Sequence, residues 1–328
     1  MLELLKEKPS FVIEAEKAHF RPRVIFQVLI FALVFIVTQI AASLPVIIVT
    51  FVKTITDITG GRTDLANPAN SQAYANELMN SNFMSLLTLF CTAIATVLAI
   101  IYCKFIEKRS LYSMGFTRKK AGINYFSGLL IGALMFGGSV LLCWVTGALE
   151  FKGIVMSGGI VIIALFFLGF LLQGMSEEVI LRGYFMVSVA AKKTVLMGVL
   201  LNSILFACLH LANHGISFLP IINLTLFGIF ASLYMLRTGN IWGVAAIHTM
   251  WNFVQGNVFG IAVSGKTIDA TVFSFVSTEG NDLINGGNFG LEGGLAVTAV
   301  LVISIAITVF WKGNLKIAES KNGLSNEE

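Results

Sequence analysis

The run GIVIIALFFLGFLLQGMSEEVILRGYFMVSVA, residues 159–190, decides how this chain is read. Its first half carries no charge; then two adjacent carboxylates, Glu177 and Glu178, and a guanidinium, Arg182, enter an otherwise apolar helix. At 1.5 Å per residue the run would measure roughly 48 Å, against a hydrocarbon core of about 30 Å, so it is expected to tilt, to break near Gly169 or Gly174, or to protrude. A charged side chain at the centre of a membrane helix costs about 2.5–3.5 kcal/mol, which makes such a cluster a functional-site expectation by default.

Runs of the same kind recur on both sides of this one. Of 328 residues, 56% are hydrophobic and only 12% charged, a balance that a soluble chain with polar faces on most of its elements would not have. The fold class is therefore all-α, a polytopic membrane helix bundle. Apolar spans are expected at about 24–51 (with Pro45 inside it), 84–103, 126–149, 159–190, 194–212, 219–236, 241–260 and 290–311, about eight in all. Residues 1–23 carry both signs of charge and read as a cytoplasmic amphipathic lead-in. Residues 24–312 form a single transmembrane domain, and 313–328 a cytoplasmic tail. Residues 52–83 read as a polar loop and 261–289 as a Gly-, Ser- and Asn-rich connection. The first apolar run is long enough to remain as a helix, so no cleavable signal is expected.

Basic residues orient the bundle. With the N-terminus cytoplasmic, the inner segments hold Arg21, Arg23, Lys104, Lys108, Arg109, Arg118, Lys119, Lys120, Lys192, Lys193, Arg237, Lys312, Lys316 and Lys321. The outer ones hold Lys53, Arg62, Lys152 and Lys266. That bias places both termini in the cytoplasm of a multi-pass cell-membrane protein. The net charge of +4 is accounted for by these short segments, and nucleic acid is not an expected partner. Cys91, Cys103, Cys143 and Cys208 lie in or beside apolar spans without paired spacing and read as small core hydrophobes. No internal repeat is visible, which weighs against a transporter built from related halves.

Glu178 and Arg182 are four residues apart, acid first, the favourable order for a helix ion pair. Glu177 lies about 100° round the helix with no base three or four residues on, and is expected to find its partners on other helices. FACLH places His210 in the fifth span. HTMWN places His248 and Asn252 on one helical face in the seventh. Each alone is as readily a packing residue, and the three charges alone could be a structural network joining helices. Depth joins them: measured from the turn at residues 191–194, Glu177 lies roughly 21 Å back and His210 roughly 24 Å on, while His248 and Asn252 lie roughly 12 and 18 Å from the turn near Asn240. His214, beside Gly215 at the end of its span, reads as interfacial.

Glu177-Glu178 with Arg182, Phe206 with His210, and His248 with Asn252, in this order on separate spans, resemble the CPBP family of intramembrane proteases. This is the CAAX-protease and bacteriocin-processing, or Abi, family, which includes the type II CAAX prenyl endopeptidases. The resemblance covers about residues 158–260, the expected catalytic core, and WNFVQGNVFG after His248 also looks like bacterial members. It implies that Glu177 and His210 activate a water, that His248 and Asn252 bind the developing oxyanion, and that Glu178 and Arg182 hold the geometry. Members have been described both as metal-free and as metalloproteases. In the latter case Glu177, His210 and His248 are the candidate ligands of Zn²⁺ with an open fourth position, and Glu178 becomes the base. The expected function is an intramembrane endopeptidase whose partners are the bilayer and a membrane-associated or lipidated peptide. A non-enzymatic immunity or scaffold protein is the alternative, and a proton-coupled transporter a more distant one.

Overall fold

The computed structural model describes residues 2–311 and is a bundle of helices with one small sheet. Short helices α1 (Leu2–Lys6) and α2 (Ser10–Ala15) precede the long α3 (Val24–Thr59). Then come α4 (Pro68–Asn80), α5 (Asn82–Ile101) and α6 (Ala121–Val145). Strand β1 (Leu149–Ile154) leads into α7 (Gly159–Glu178), which passes through a π-helical segment, Val179–Met186, into α8 (Val187–Lys192). Next are α9 (Val195–Cys208), α10 (Phe218–Thr238) and α11 (Trp242–Phe253), the last prolonged by a π-helical turn, Val254–Val258. Strand β2 (Phe273–Ser277), α12 (Asp282–Asn285) and α13 (Leu295–Phe310) complete the described chain. Lys312, Lys316, Lys321 and the expected tail 313–328 lie outside the described residues.

Each of the expected spans has a helix at its place. Five are long and apolar enough to cross a membrane by length and composition: Val24–Thr59, Asn82–Ile106, Ala121–Val145, Gly159–Lys192 and Phe218–Thr238. Val195–Cys208 and Leu295–Phe310 are shorter apolar helices. The outward faces are apolar, as lipid requires: Ile25, Leu29, Leu33, Ile36 and Ile40 of α3 are each more than half exposed.

One of the three outcomes expected for the long run falls away, and three other local expectations are corrected. The long run neither breaks at Gly169 nor at Gly174; it is continuous, and its irregularity is the π segment that follows Glu178. The two glycines serve instead as places of close packing. Leu89 of α5 sits against Gly169, and at Gly174 an added Cβ would lie 2.8 Å from Thr249 N of α11. The loop 52–83 contains a helix: α3 runs on to Thr59, and α4 starts at Pro68 with the Asn67 side chain accepting from Ala69 N at 2.9 Å. Pro at the first helical position forfeits no hydrogen bond, and the Asn cap satisfies an amide that would otherwise be unpaired. The connection 261–289 supplies β2, which pairs antiparallel with β1. Finally, Arg109 and Arg237 are buried rather than loop charges: Arg109 pairs with Glu107 at 3.1 Å, and Arg237 donates to Thr308 O and Val309 O at the end of α13.

α11 lies between α6 and α7. Gly128 and Gly132, four residues apart on α6, leave no room for a side chain against Ala246, Ile247 and Met250, so the two backbones approach closely. Gly174 does the same from α7, and Thr249 Oγ1 donates to Phe170 O at 3.1 Å across that contact. This packing fixes the rotation of α11, and with it the direction in which His248 and Asn252 point.

Candidate active site

The acidic pair at the end of α7 divides its tasks. Arg182 Nη1 donates to Glu178 Oε1 at 2.9 Å, both side chains being fully buried. The same carboxylate oxygen accepts from His248 Nδ1 at 2.8 Å. Arg182 also stands over the Phe206 ring, with Cζ 4.8 Å from its centroid. In the amide orientation that satisfies its neighbours, Asn202 of α9 accepts from Arg182 Nε at 3.3 Å and from Ser232 Oγ at 3.0 Å, and donates to Leu181 O at 2.9 Å. Glu178 therefore ties α7 to α11, while Arg182 ties α7 to α9.

Glu177 faces the other way, with a side chain 31% exposed. Its Oε2 lies 3.7 Å from His248 Nε2, close enough for charge to be felt and too long for a hydrogen bond. Contrary to expectation, its nearest hydrogen-bond partner is on its own helix: Gln173 Nε2 donates to Glu177 Oε1. Gln173 Oε1 in turn accepts from Asn252 Nδ2 at 3.0 Å. Gln173 thus connects the carboxylate to the amide, a residue that sequence reasoning missed. The available signal was its position four before Glu177, on the same helical face.

His210 is not within the fifth helix as expected. α9 ends at Cys208, and His210 occupies the turn that follows, its N–H donating to Ala207 O at 3.1 Å. Its Nδ1 lies 2.8 Å from Phe206 O. A carbonyl can only accept, so Nδ1 carries the hydrogen and Nε2 keeps a free lone pair. The aromatic rings of Phe206 and Phe227 pack against the histidines, Phe206 at 4.8 Å from His210 and Phe227 at 5.1 Å from His248 between centroids.

Glu177, His210, His248 and Asn252 all line one cavity of about 1060 Å³, with Gln173, Phe170 and Phe227 among its walls. Glu178 and Arg182 lie behind His248 and take no part in the lining. His214 stands at the rim, exposed, where an interfacial residue was expected. A second unforeseen wall residue is Glu292, whose carboxylate accepts from Trp251 Nε1 at 3.1 Å and from Ser264 N at 2.7 Å, fastening the connection before α13 to α11.

Among the described residues no three His, Cys, Asp or Glu side chains are grouped so as to hold one ion. The hydrogen bond from His248 Nδ1 to Glu178 leaves Nε2 free, but His210 does not join Glu177 and His248 in such a group. The residues Glu177, His210 and His248 do not fit Zn²⁺ in this arrangement.

Fold and site together define a multi-pass helical membrane protein with a polar, carboxylate-containing cavity inside an apolar bundle. Residues 159–254, from the start of α7 to the end of α11, match the family model described as Rce1-like, type II CAAX prenyl endopeptidase Rce1-like. The resemblance to the CPBP proteases is shown over that segment, which contains every site residue predicted from the sequence. No curated protein and no solved structure matches the chain.

Proposed function

We propose that this protein is an intramembrane endopeptidase of a cell membrane, hydrolysing a bond in a membrane-associated peptide with water activated by Glu177 and His210. The observation that carries the reading is the convergence on one cavity of a part-exposed carboxylate, an imidazole with a free nitrogen, and two further polar groups held in fixed orientation.

A water between Glu177 and His210 accepts its orientation from His210 Nε2 and gives its proton to the Glu177 carboxylate as its oxygen attacks the scissile carbonyl. With Nδ1–H held by Glu178, His248 acts as the imidazolium, both ring nitrogens carrying hydrogen, and presents Nε2–H to the cavity; Asn252, one amide hydrogen engaged by Gln173, presents the other. These two groups receive the oxyanion. Fixed donors in a water-poor site stabilise developing charge far more than they would in water. Collapse of the intermediate breaks the C–N bond, and the proton on Glu177 passes to the leaving amine. Glu178 and Arg182 act through His248 and the helix contacts.

Purified protein should cleave a membrane-anchored peptide, and Glu177→Ala and His210→Ala should each abolish turnover while the variants still accumulate in the membrane. Turnover retained in both sinks the mechanism. The link from Asn252 through Gln173 to Glu177 also favours a second reading, a packing network in a non-enzymatic immunity or scaffold protein. In that case the same substitutions lower stability and leave the biological phenotype intact wherever the protein persists.

A further inference from the structure

The chain alternates direction through the bundle, so its connections fall at two ends. The end that holds residues 2–23 also holds the connections 102–120, 193–194 and 239–241; the opposite end holds 60–81, 146–158, 209–217 and 259–294. Of the exposed lining residues of the catalytic cavity, Asn76, Asn80, His214, Lys266 and Thr267 belong to the opposite end, while Gln39 and Thr88 stand on the sides of α3 and α5. Among the described residues, no lining residue comes from a connection at the N-terminal end, and there the floor consists of buried side chains such as Ile180, Leu181 and Leu301.

Beneath that floor the bundle is closed by a polar plug. Glu107 and Arg109 pair at 3.1 Å with side chains 1% exposed. Arg109 also donates to Gly183 O at 2.9 Å and Tyr184 O at 3.2 Å, carbonyls of the π segment that continues the helix of Glu177. Gln27 of α3 donates to Tyr184 Oη at 3.1 Å and to Glu107 at 3.3 Å. Three parts of the chain are thus locked together between the site and the N-terminal end.

The wall above has the opposite character. α5 places Ser85, Thr88 and Thr92 on the cavity, at i, i+3 and i+7 of an otherwise apolar helix. The Thr88 and Thr92 hydroxyls donate to Met84 O and Leu89 O of their own helix, leaving oxygen lone pairs for a guest. Acceptors suit the N–H groups of an extended peptide, which lipid would leave unsatisfied. Phe166, Phe170 and Phe227 offer apolar surface to its side chains. The volume, about 1060 Å³, exceeds the roughly 300–1,000 Å³ of small-molecule sites.

We infer that the cavity is served from the end opposite the N-terminus. By the basic residues of the connections, Lys104, Lys108, Arg118, Lys119, Lys120, Lys192 and Lys193 at one end against Arg62, Lys152 and Lys266 at the other, that end is non-cytoplasmic. The substrate is then a membrane-anchored polypeptide whose scissile segment is extended and lies on the non-cytoplasmic side, not a lipidated tail presented from the cytoplasm. The substrate half of this inference rests on the endopeptidase reading; the side of access does not.

The test uses the full chain with the exposed Cys208 replaced by Ser, in sealed vesicles of known orientation, and a membrane-impermeant charged thiol reagent. Asn80→Cys and Thr88→Cys should react in right-side-out vesicles and be protected in inverted ones, with Lys119→Cys the reverse. Reaction of Thr88→Cys from inverted vesicles alone overturns the inference whatever the enzyme does. Two anchored reporter peptides, identical but for the side on which the scissile segment lies, then test the substrate. At least tenfold faster cleavage of the outer reporter supports the inference, and equal or faster cleavage of the inner one overturns it. Cleavage of neither, by protein that labels as expected, upholds the side of access and counts against the endopeptidase reading.

Discussion

Arg182→Met isolates what the buried pair at the end of α7 contributes. In the parent, Glu178 Oε1 has two partners, Arg182 Nη1 at 2.9 Å and His248 Nδ1 at 2.8 Å, with no solvent at either charge. Removing the guanidinium leaves a buried carboxylate with one partner, a loss of about 3–5 kcal/mol for an orphaned charge of this kind. The lost attraction of the cation to Phe206 is smaller, ~0.5–2 kcal/mol, and a Met sulfur over the same ring restores ~0.3–1.5 kcal/mol of it. Charge therefore dominates, and a second change should reverse much of the damage. Glu178→Gln with Arg182→Met holds no orphaned charge and should regain at least ~2 kcal/mol relative to Arg182→Met alone, since replacing a whole buried pair is often close to neutral. Denaturant unfolding in detergent, followed by tryptophan fluorescence, measures both variants, and the double-mutant cycle gives the coupling. The double variant should nonetheless turn over slowly, because an amide holds His248 less firmly than a carboxylate. The reasoning fails if Arg182→Met is as stable as the parent, or if the double variant is no more stable than the single one.

Other substitutions follow from the same geometry. Gln173→Leu removes the link between Glu177 and Asn252 on a part-exposed wall; it should lower kcat by about 10–100-fold with little change in unfolding, as small misplacements of catalytic groups do. Arg109→Met orphans Glu107 in the plug and should cost about 3–5 kcal/mol, read as reduced accumulation and a lower unfolding midpoint, with Glu107→Gln recovering part of it in the double variant. Gly174→Val sets a side chain against Thr249 and the α11 backbone, and should cost about 1–3 kcal/mol of stability while reducing turnover, as His248 is drawn away from Glu178.

The bundle was legible because apolar span length is a property of local sequence, and the helices from α3 to α13 lie close to the positions the runs define. The Glu178–Arg182 pair was legible for the same reason, both ends being on one helix four residues apart. What was not legible depends on pairing between distant segments. β2 acquires its strand conformation from β1, more than a hundred residues earlier, and Glu292 becomes a wall of the cavity only because Trp251 and Ser264 fold over it. The π segment after Glu178 carries no strong sequence mark of its own; its freed carbonyls at Gly183 and Tyr184 are taken up by Arg109, a residue that charge counting alone assigns to a loop. His210 shows the limit of helix arithmetic: its depth was inferred by extending α9 to residue 212, whereas the helix ends at Cys208 and a turn carries the imidazole to the cavity.

The most direct measurement is the rate at which purified protein cleaves an anchored peptide, compared between the parent and Glu177→Gln at equal amounts of folded protein. Glu177 is part-exposed and its contact with His248 Nε2, at 3.7 Å, is too long for a hydrogen bond, so the amide should fold nearly as well as the acid, while loss of the base should slow cleavage by at least about 10²-fold. Equal rates in the two proteins would contradict the account.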